Sequence, residues 1–154
     1  MSQERFSRDQ QHVLSAVLDE IIPPSADGAL PGAGALGLAE VVDEALERTP
    51  ELRPLIVAGL AAADELARGR DAEGFATLPA AERRGALEEL TPTQPAFLPS
   101  LTFHAYVGYY QDARVIEALG MESRAPYPLG YEMPPDDLTL LDPVRERPKL
   151  YREP

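Results

Sequence analysis

Apolar residues recur at helical spacing through the first three-quarters of the chain. Ser7 and Gln10 have the types and spacing of a capping box, and Val13, Leu14, Val17, Leu18, Ile21 and Ile22 follow until Pro23-Pro24 ends the run. A loop of Pro, Gly, Ala, Ser and Asp over 23–34 leads to a second set, Leu38, Val41, Val42, Ala45 and Leu46. Thr49-Pro50 places an N-cap type before a proline, and Leu52, Leu55, Ile56, Gly59, Leu60, Ala63 and Leu66 then form one stripe that ends near Gly69. Pro79 opens a shorter segment, Ala80 to Leu90. Pro95 opens another, in which Phe97, Leu98, Leu101, Ala105 and Tyr109 can face a core. A last helical turn runs from Asp112 to Leu119 and is closed by Gly120. No segment alternates with a period of two, and no internal repeat is present. Residues 1–120 therefore read as an all-α domain, a small bundle of about five helices.

Beyond Gly120 the character changes. Residues 121–154 hold seven of the sixteen prolines and three tyrosines, with no helical stripe of useful length. A disordered tail is normally poor in aromatic and aliphatic anchors, yet Met121, Tyr127, Leu129, Tyr131, Met133, Leu138, Leu140, Leu141, Val144, Leu150 and Tyr151 stand here. This segment reads as an extended Pro/Tyr-rich arm that covers either its own bundle or, as the preferred reading, a partner subunit.

Composition narrows the function classes. With no cysteine, thiolate metal sites, iron–sulfur clusters, disulfides and a cysteine nucleophile are excluded. A net charge of −12 opposes nucleic acid and anionic membrane surfaces, because both are held by Lys and Arg. No apolar run approaches the roughly 20 residues of a spanning helix. The polar N-terminus lacks the apolar stretch of a signal peptide, and Arg83-Arg84 lies too far along the chain for a twin-arginine signal, so a cytoplasmic location is expected.

Candidate chemistry is sparse. Gly32-Ala33-Gly34-Ala35-Leu36-Gly37 matches the GxGxxG dinucleotide fingerprint, which needs a strand before it and an acid at the end of a second strand. Here a helix ending in two prolines precedes it, so it reads as a structural loop. Glu40, Asp43, Glu44 and Glu47 share a helix, but no ExxH accompanies them, and they read as its solvated face. His12 and His104 lie on different helices without a nucleophile signature, and His104 reads as a hydrogen-bonded packing residue. No catalytic, cofactor-binding or metal-binding residues are assigned.

The densest signal runs from Tyr106 to Tyr131: Tyr106, Tyr109, Tyr110, Arg114, Arg124, Pro126, Tyr127, Pro128, Gly130 and Tyr131. Tyrosine and arginine cover large areas while keeping a polar end to pair, and proline lowers the ordering cost of an extended segment. These ten are the candidate partner-binding residues. Tyr109 and Tyr110 project about 100° apart on a helix, so both cannot enter one core.

With these residues in view, the chain resembles the gluconate 2-dehydrogenase subunit 3 family, small subunits that accompany FAD-dependent dehydrogenases of the glucose–methanol–choline type. The resemblance rests on Leu14 to Pro23 with its Ile-Ile-Pro ending, Pro31-Gly32-Ala33, and the Val41-Val42-Asp43 helix. It continues through Phe75, Leu78, Arg83, Leu87, Tyr109-Tyr110, Asp112 to Val115, Leu119-Gly120 and Pro126 to Tyr131, covering roughly residues 10–133. It implies a non-catalytic small subunit of a soluble sugar or alcohol dehydrogenase complex, whose large partner carries FAD and oxidises a sugar or sugar-acid hydroxyl, with this chain supporting folding, stability or assembly. Membrane-bound relatives also work beside a multihaem cytochrome, and the sequence is silent on such a third subunit. A free-standing helical adaptor or ligand-binding module, with its arm folded back on itself, is the alternative; an autonomous enzyme ranks last.

Overall fold

The computed structural model describes residues 5–70, 73–125, 127–130 and 135–148, and among these it is all-helical, with no strand. The helices are α1 (Arg8–Ile21), α2 (Leu38–Arg48), α3 (Arg53–Arg68), α4 (Ala80–Leu90), α5 (Phe97–Tyr109), α6 (Ala113–Ala118) and α7 (Asp142–Arg145). Short 3₁₀ turns stand at Pro50–Leu52, Phe75–Thr77 and Leu138–Leu141. The chain divides into two compact units, Met1–Ser123 and Arg124–Pro154.

In the first unit α1 is central and touches α2, α3, α4 and α5. Its start is fixed by the expected capping box: the Gln10 N–H donates to Ser7 Oγ at 3.2 Å, and the Ser7 N–H donates to Gln10 Oε1 at 2.9 Å. Leu14, Val17 and Leu18 of α1 are fully buried, together with Val42, Leu46, Ile56, Leu60, Leu101 and Val115 from the surrounding helices. Phe75 adds a wedge from its 3₁₀ turn against α1 and α3, and its N–H is held by Asp64 Oδ1 at 2.9 Å. Arg83 of α4 donates to Glu20 of α1 at 2.9 Å, which ties the two helices by charge as well as packing.

The glycine-rich loop packs directly on α1. The Gly34 N–H donates to Asp19 Oδ1 at 2.8 Å, and a Cβ at Gly34 would lie 2.2 Å from the Ser15 carbonyl. A carboxylate thus takes the kind of backbone donor that a dinucleotide loop turns toward phosphate. The glycines here permit close packing of backbone on helix.

Three local expectations are corrected. Thr49 does not cap α3: its hydroxyl turns back to the Ala45 carbonyl at 3.2 Å, Pro50 opens a 3₁₀ turn, and α3 begins at Arg53. Asp43 does not belong to a solvated acidic face. It is 4% exposed, its Oδ1 lies 2.6 Å from Arg53 Nη1, its Oδ2 accepts the Phe6 N–H at 3.4 Å, and the Arg53 guanidinium lies 4.9 Å from the Phe6 ring centre. Pairing with a cation offsets the cost of burying a carboxylate, and sequence spacing could not reveal a cation ten positions away on another helix. His104 has no hydrogen-bond partner among the described residues. It meets the edge of Phe103, and partial burial lowers its pKa.

The first unit extends to Ser123, past the expected boundary at Gly120. Gly120 adopts φ 77°, and the Gly120 and Met121 N–H groups reach back to the Glu117 and Ile116 carbonyls, a Schellman closure that carries the chain beyond α6. In the second unit, 138–145 forms short helical turns within the arm, started by Asp137, which accepts the Thr139 N–H at 3.1 Å.

Candidate partner interface

Helix α5 has two apolar faces. Phe97, Leu101, Ala105, Gly108 and Tyr109 are buried inward. On the opposite side Phe103, Tyr106, Val107 and Tyr110 stand at i, i+3, i+4 and i+7 and are exposed, Phe103 by 66%. No Asp, Glu, Lys or Arg occurs from Thr91 to Gln111, so nothing charged interrupts this outer face. A helix that is apolar all round is normally buried all round, whereas α5 is covered on one side by its own unit. The Tyr106 and Tyr110 rings stack at 5.9 Å, and Val41 of α2, also exposed, adjoins the stripe beside Gly108.

Tyr109 and Tyr110 separate as their spacing requires. Tyr109 is 2% exposed and its hydroxyl donates to the Pro31 carbonyl at 2.9 Å, while Tyr110 faces outward. Burial and the neighbouring Tyr110 raise the Tyr109 pKa. Tyr109 is therefore a correction among the candidate residues: it braces α5 against the glycine-rich loop from beneath and presents nothing to a partner. Arg114 braces the same loop, donating to the Leu36 carbonyl at 3.2 Å and to both carboxylate oxygens of Asp112 at 2.9 and 2.7 Å. Asp112 also accepts the Arg114 N–H as the N-cap of α6, and the hydrogen bonds from the Arg114 side chain hold its carboxyl below the usual carboxylate range.

In the second unit, Arg124 Nη2 donates to the Gly130 carbonyl at 2.7 Å and closes a turn in which Tyr127, Pro128 and Leu129 point outward, Tyr127 by 88%. Gly130 adopts φ 68°, and the Tyr127–Pro128 bond is cis. Pro126 and Tyr131 lie outside the described residues. The candidates thus fall into two sets, Tyr106 with Tyr109, Tyr110 and Arg114 in the first unit, and Arg124 with Tyr127, Pro128 and Gly130 in the second.

Sequence reasoning missed Phe103, Val107 and Val41. The signal was present in the four-residue stripe from Phe103 to Tyr110, but the inward stripe of the same helix had already accounted for its apolar content. Among the described residues no three His, Asp or Glu side chains are grouped to hold a metal ion, and no helix is long and apolar enough to cross a membrane. The grooves are shallow; one of about 310 Å³ runs beside Tyr106 and is lined by Ile21, Leu87, Leu98 and Thr102. No curated protein and no solved structure matches the chain. A family profile described as gluconate 2-dehydrogenase subunit 3 matches residues 8–123. That span holds the whole helical unit from α1 to the closure after α6, and the chain belongs to the gluconate 2-dehydrogenase subunit 3 family.

Proposed function

We propose that this chain is the non-catalytic small subunit of an FAD-dependent sugar or alcohol dehydrogenase, bound to the large flavoprotein subunit through the outer face of α5 and the turn around Tyr127. The observation that carries the reading is the uncharged, exposed face of α5 in a chain whose family is named for a dehydrogenase subunit. Flavin and catalytic groups belong to the partner, and this chain stabilises the partner's fold by covering an apolar surface. Tyr106, Tyr110 and Tyr127 each offer a large ring with a hydroxyl at its end, the combination enriched at interface hot spots.

Co-expression with an FAD-dependent dehydrogenase large subunit from the same genome tests the reading. The two chains are expected to elute together on gel filtration, and the large chain made alone is expected to lose flavin or solubility. Separate elution, with flavin content and activity of the large chain unchanged, would sink the proposal. Limited proteolysis of the isolated chain addresses the arm: rapid loss after about Gly120 fits a docking arm, and protection favours a self-wrapped module.

A further inference from the structure

We infer that the surface opposite α5 is an apolar furrow edged by arginine or lysine side chains along the side that meets α2; this rests on the small-subunit reading and adds the chemistry of the contact. The α5 face supplies the uncharged centre. Gly108 lets α2 approach so closely that a Cβ there would stand 3.2 Å from both Leu38 Cδ2 and Val41 Cγ1, and the exposed Val41 continues the stripe onto α2. Glu40 and Glu44 stand one and three positions from Val41 on α2, are exposed, and have no ion-pair partner among the described residues, with Glu40 also lining a groove beside Arg8 and His12 of α1. The other edge of the stripe differs. Beyond Tyr106 the groove is lined by Glu20, Arg84 and Glu88, and Glu20 pairs with Arg83 at 2.9 Å and lies 3.6 Å from Arg84, so two cations stand with two acids there.

Net acidity therefore borders the stripe on its α2 side, whereas Glu88 on the other edge shares its groove with Arg84. An apolar centre with charges at the rim divides the work of association: the rim steers the encounter, and the desolvated centre sets residence time. A partner carrying cations opposite Glu40 and Glu44 gains on both counts. A second copy of this chain is disfavoured, because each copy carries a net charge of −12.

The test uses the complex with the co-expressed FAD-dependent large subunit and measures association and dissociation rates from about 0.05 to 0.5 M salt, where the screening length falls several-fold. Glu40→Lys with Glu44→Lys is expected to slow association roughly tenfold at low salt, to converge with wild type at high salt, and to leave dissociation nearly unchanged. Phe103→Ala with Val107→Ala is expected to speed dissociation about tenfold or more with association nearly unchanged. Far-UV circular dichroism of each variant should match wild type, since all four side chains are exposed. Charge reversal that leaves the association rate unaltered or raises it, or truncation that leaves dissociation unaltered, overturns the inference while leaving the small-subunit reading intact. Failure of the wild-type chain to bind overturns both. Self-association abolished by the Phe103 and Val107 changes assigns the face to a second copy and also overturns it.

Discussion

Replacing Gly59 by alanine tests how tightly α5 is held against α3. In an exposed helix the change is favourable by about 1 kcal/mol, because glycine loses more backbone freedom on folding. Here the new Cβ would lie 2.2, 2.3 and 2.6 Å from Cδ2, Cγ and Cε2 of the Phe97 ring, against ordinary carbon contacts of about 3.5–4 Å. The ring would have to retreat by more than about 1 Å. It is 1% exposed and close to buried Leu101 on its own helix, so α5 itself must move. Forced overpacking costs about 1–3 kcal/mol, and three contacts below 3 Å put this site in the upper part of that range, about 2–3 kcal/mol, so after the gain of about 1 kcal/mol the expected net effect of Gly59→Ala is destabilisation by roughly 1–2 kcal/mol. For a helical unit of this size that lowers Tm by roughly 3–8 °C. Urea and thermal unfolding followed by far-UV circular dichroism measure the change. Phe97→Leu in the same chain should recover part of the loss, giving a favourable coupling of at least about 0.5 kcal/mol in a double-mutant cycle. Gly59→Ala as stable as wild type, or strictly additive with Phe97→Leu, would refute the reasoning.

Asp43→Ala leaves the partly buried Arg53 guanidinium without its carboxylate, and a loss of about 3 kcal/mol is expected by urea unfolding, much of it recovered by Asp43→Leu combined with Arg53→Met. Tyr109→Phe removes the bond to the Pro31 carbonyl and is expected to cost about 1 kcal/mol while leaving the outer face of α5 and partner affinity unaltered. His104 has a lowered pKa in the folded chain, so the unfolded state takes up the proton first; the stability it contributes is present above pH 6.5 and declines as pH falls through the folded pKa. His104→Gln should flatten the stability profile in that window when unfolding is measured across it. Tyr127→Ala is expected to weaken complex formation by about 1–3 kcal/mol with helicity intact; an equal loss of helical signal would mark Tyr127 as structural.

Helix positions were legible because their signals are local. Ser7 and Gln10 cap α1 through bonds three residues apart, Pro23-Pro24 stops it, and Gly120 ends α6, each by chemistry confined to one turn. Thr49 shows where local reading failed: its hydroxyl had two backbone choices, the preceding helix or the following one, and it turned to the preceding one. In the candidate interface, Tyr106, Tyr110 and Tyr127 were legible as exposed aromatics, whereas Phe103 and Val107 were hidden by composition. A helix with apolar residues on every side does not say from sequence which side its own domain will cover.

The sequence by itself determined the all-α class, the helix boundaries set by caps and prolines, the absence of cysteine chemistry, and the separate character of the C-terminal arm. Those follow from residue types and spacings within a few turns of chain. Tertiary structure decided which acids are buried, which glycines are contact points, and which tyrosine of the 109–110 pair faces inward. Asp43 meets Arg53, Gly59 meets Phe97 and Tyr109 meets Pro31 only after helices cross, because each partner lies on a different element. The exposed face of α5 belongs to the same class: it is defined by what the other helices do not reach.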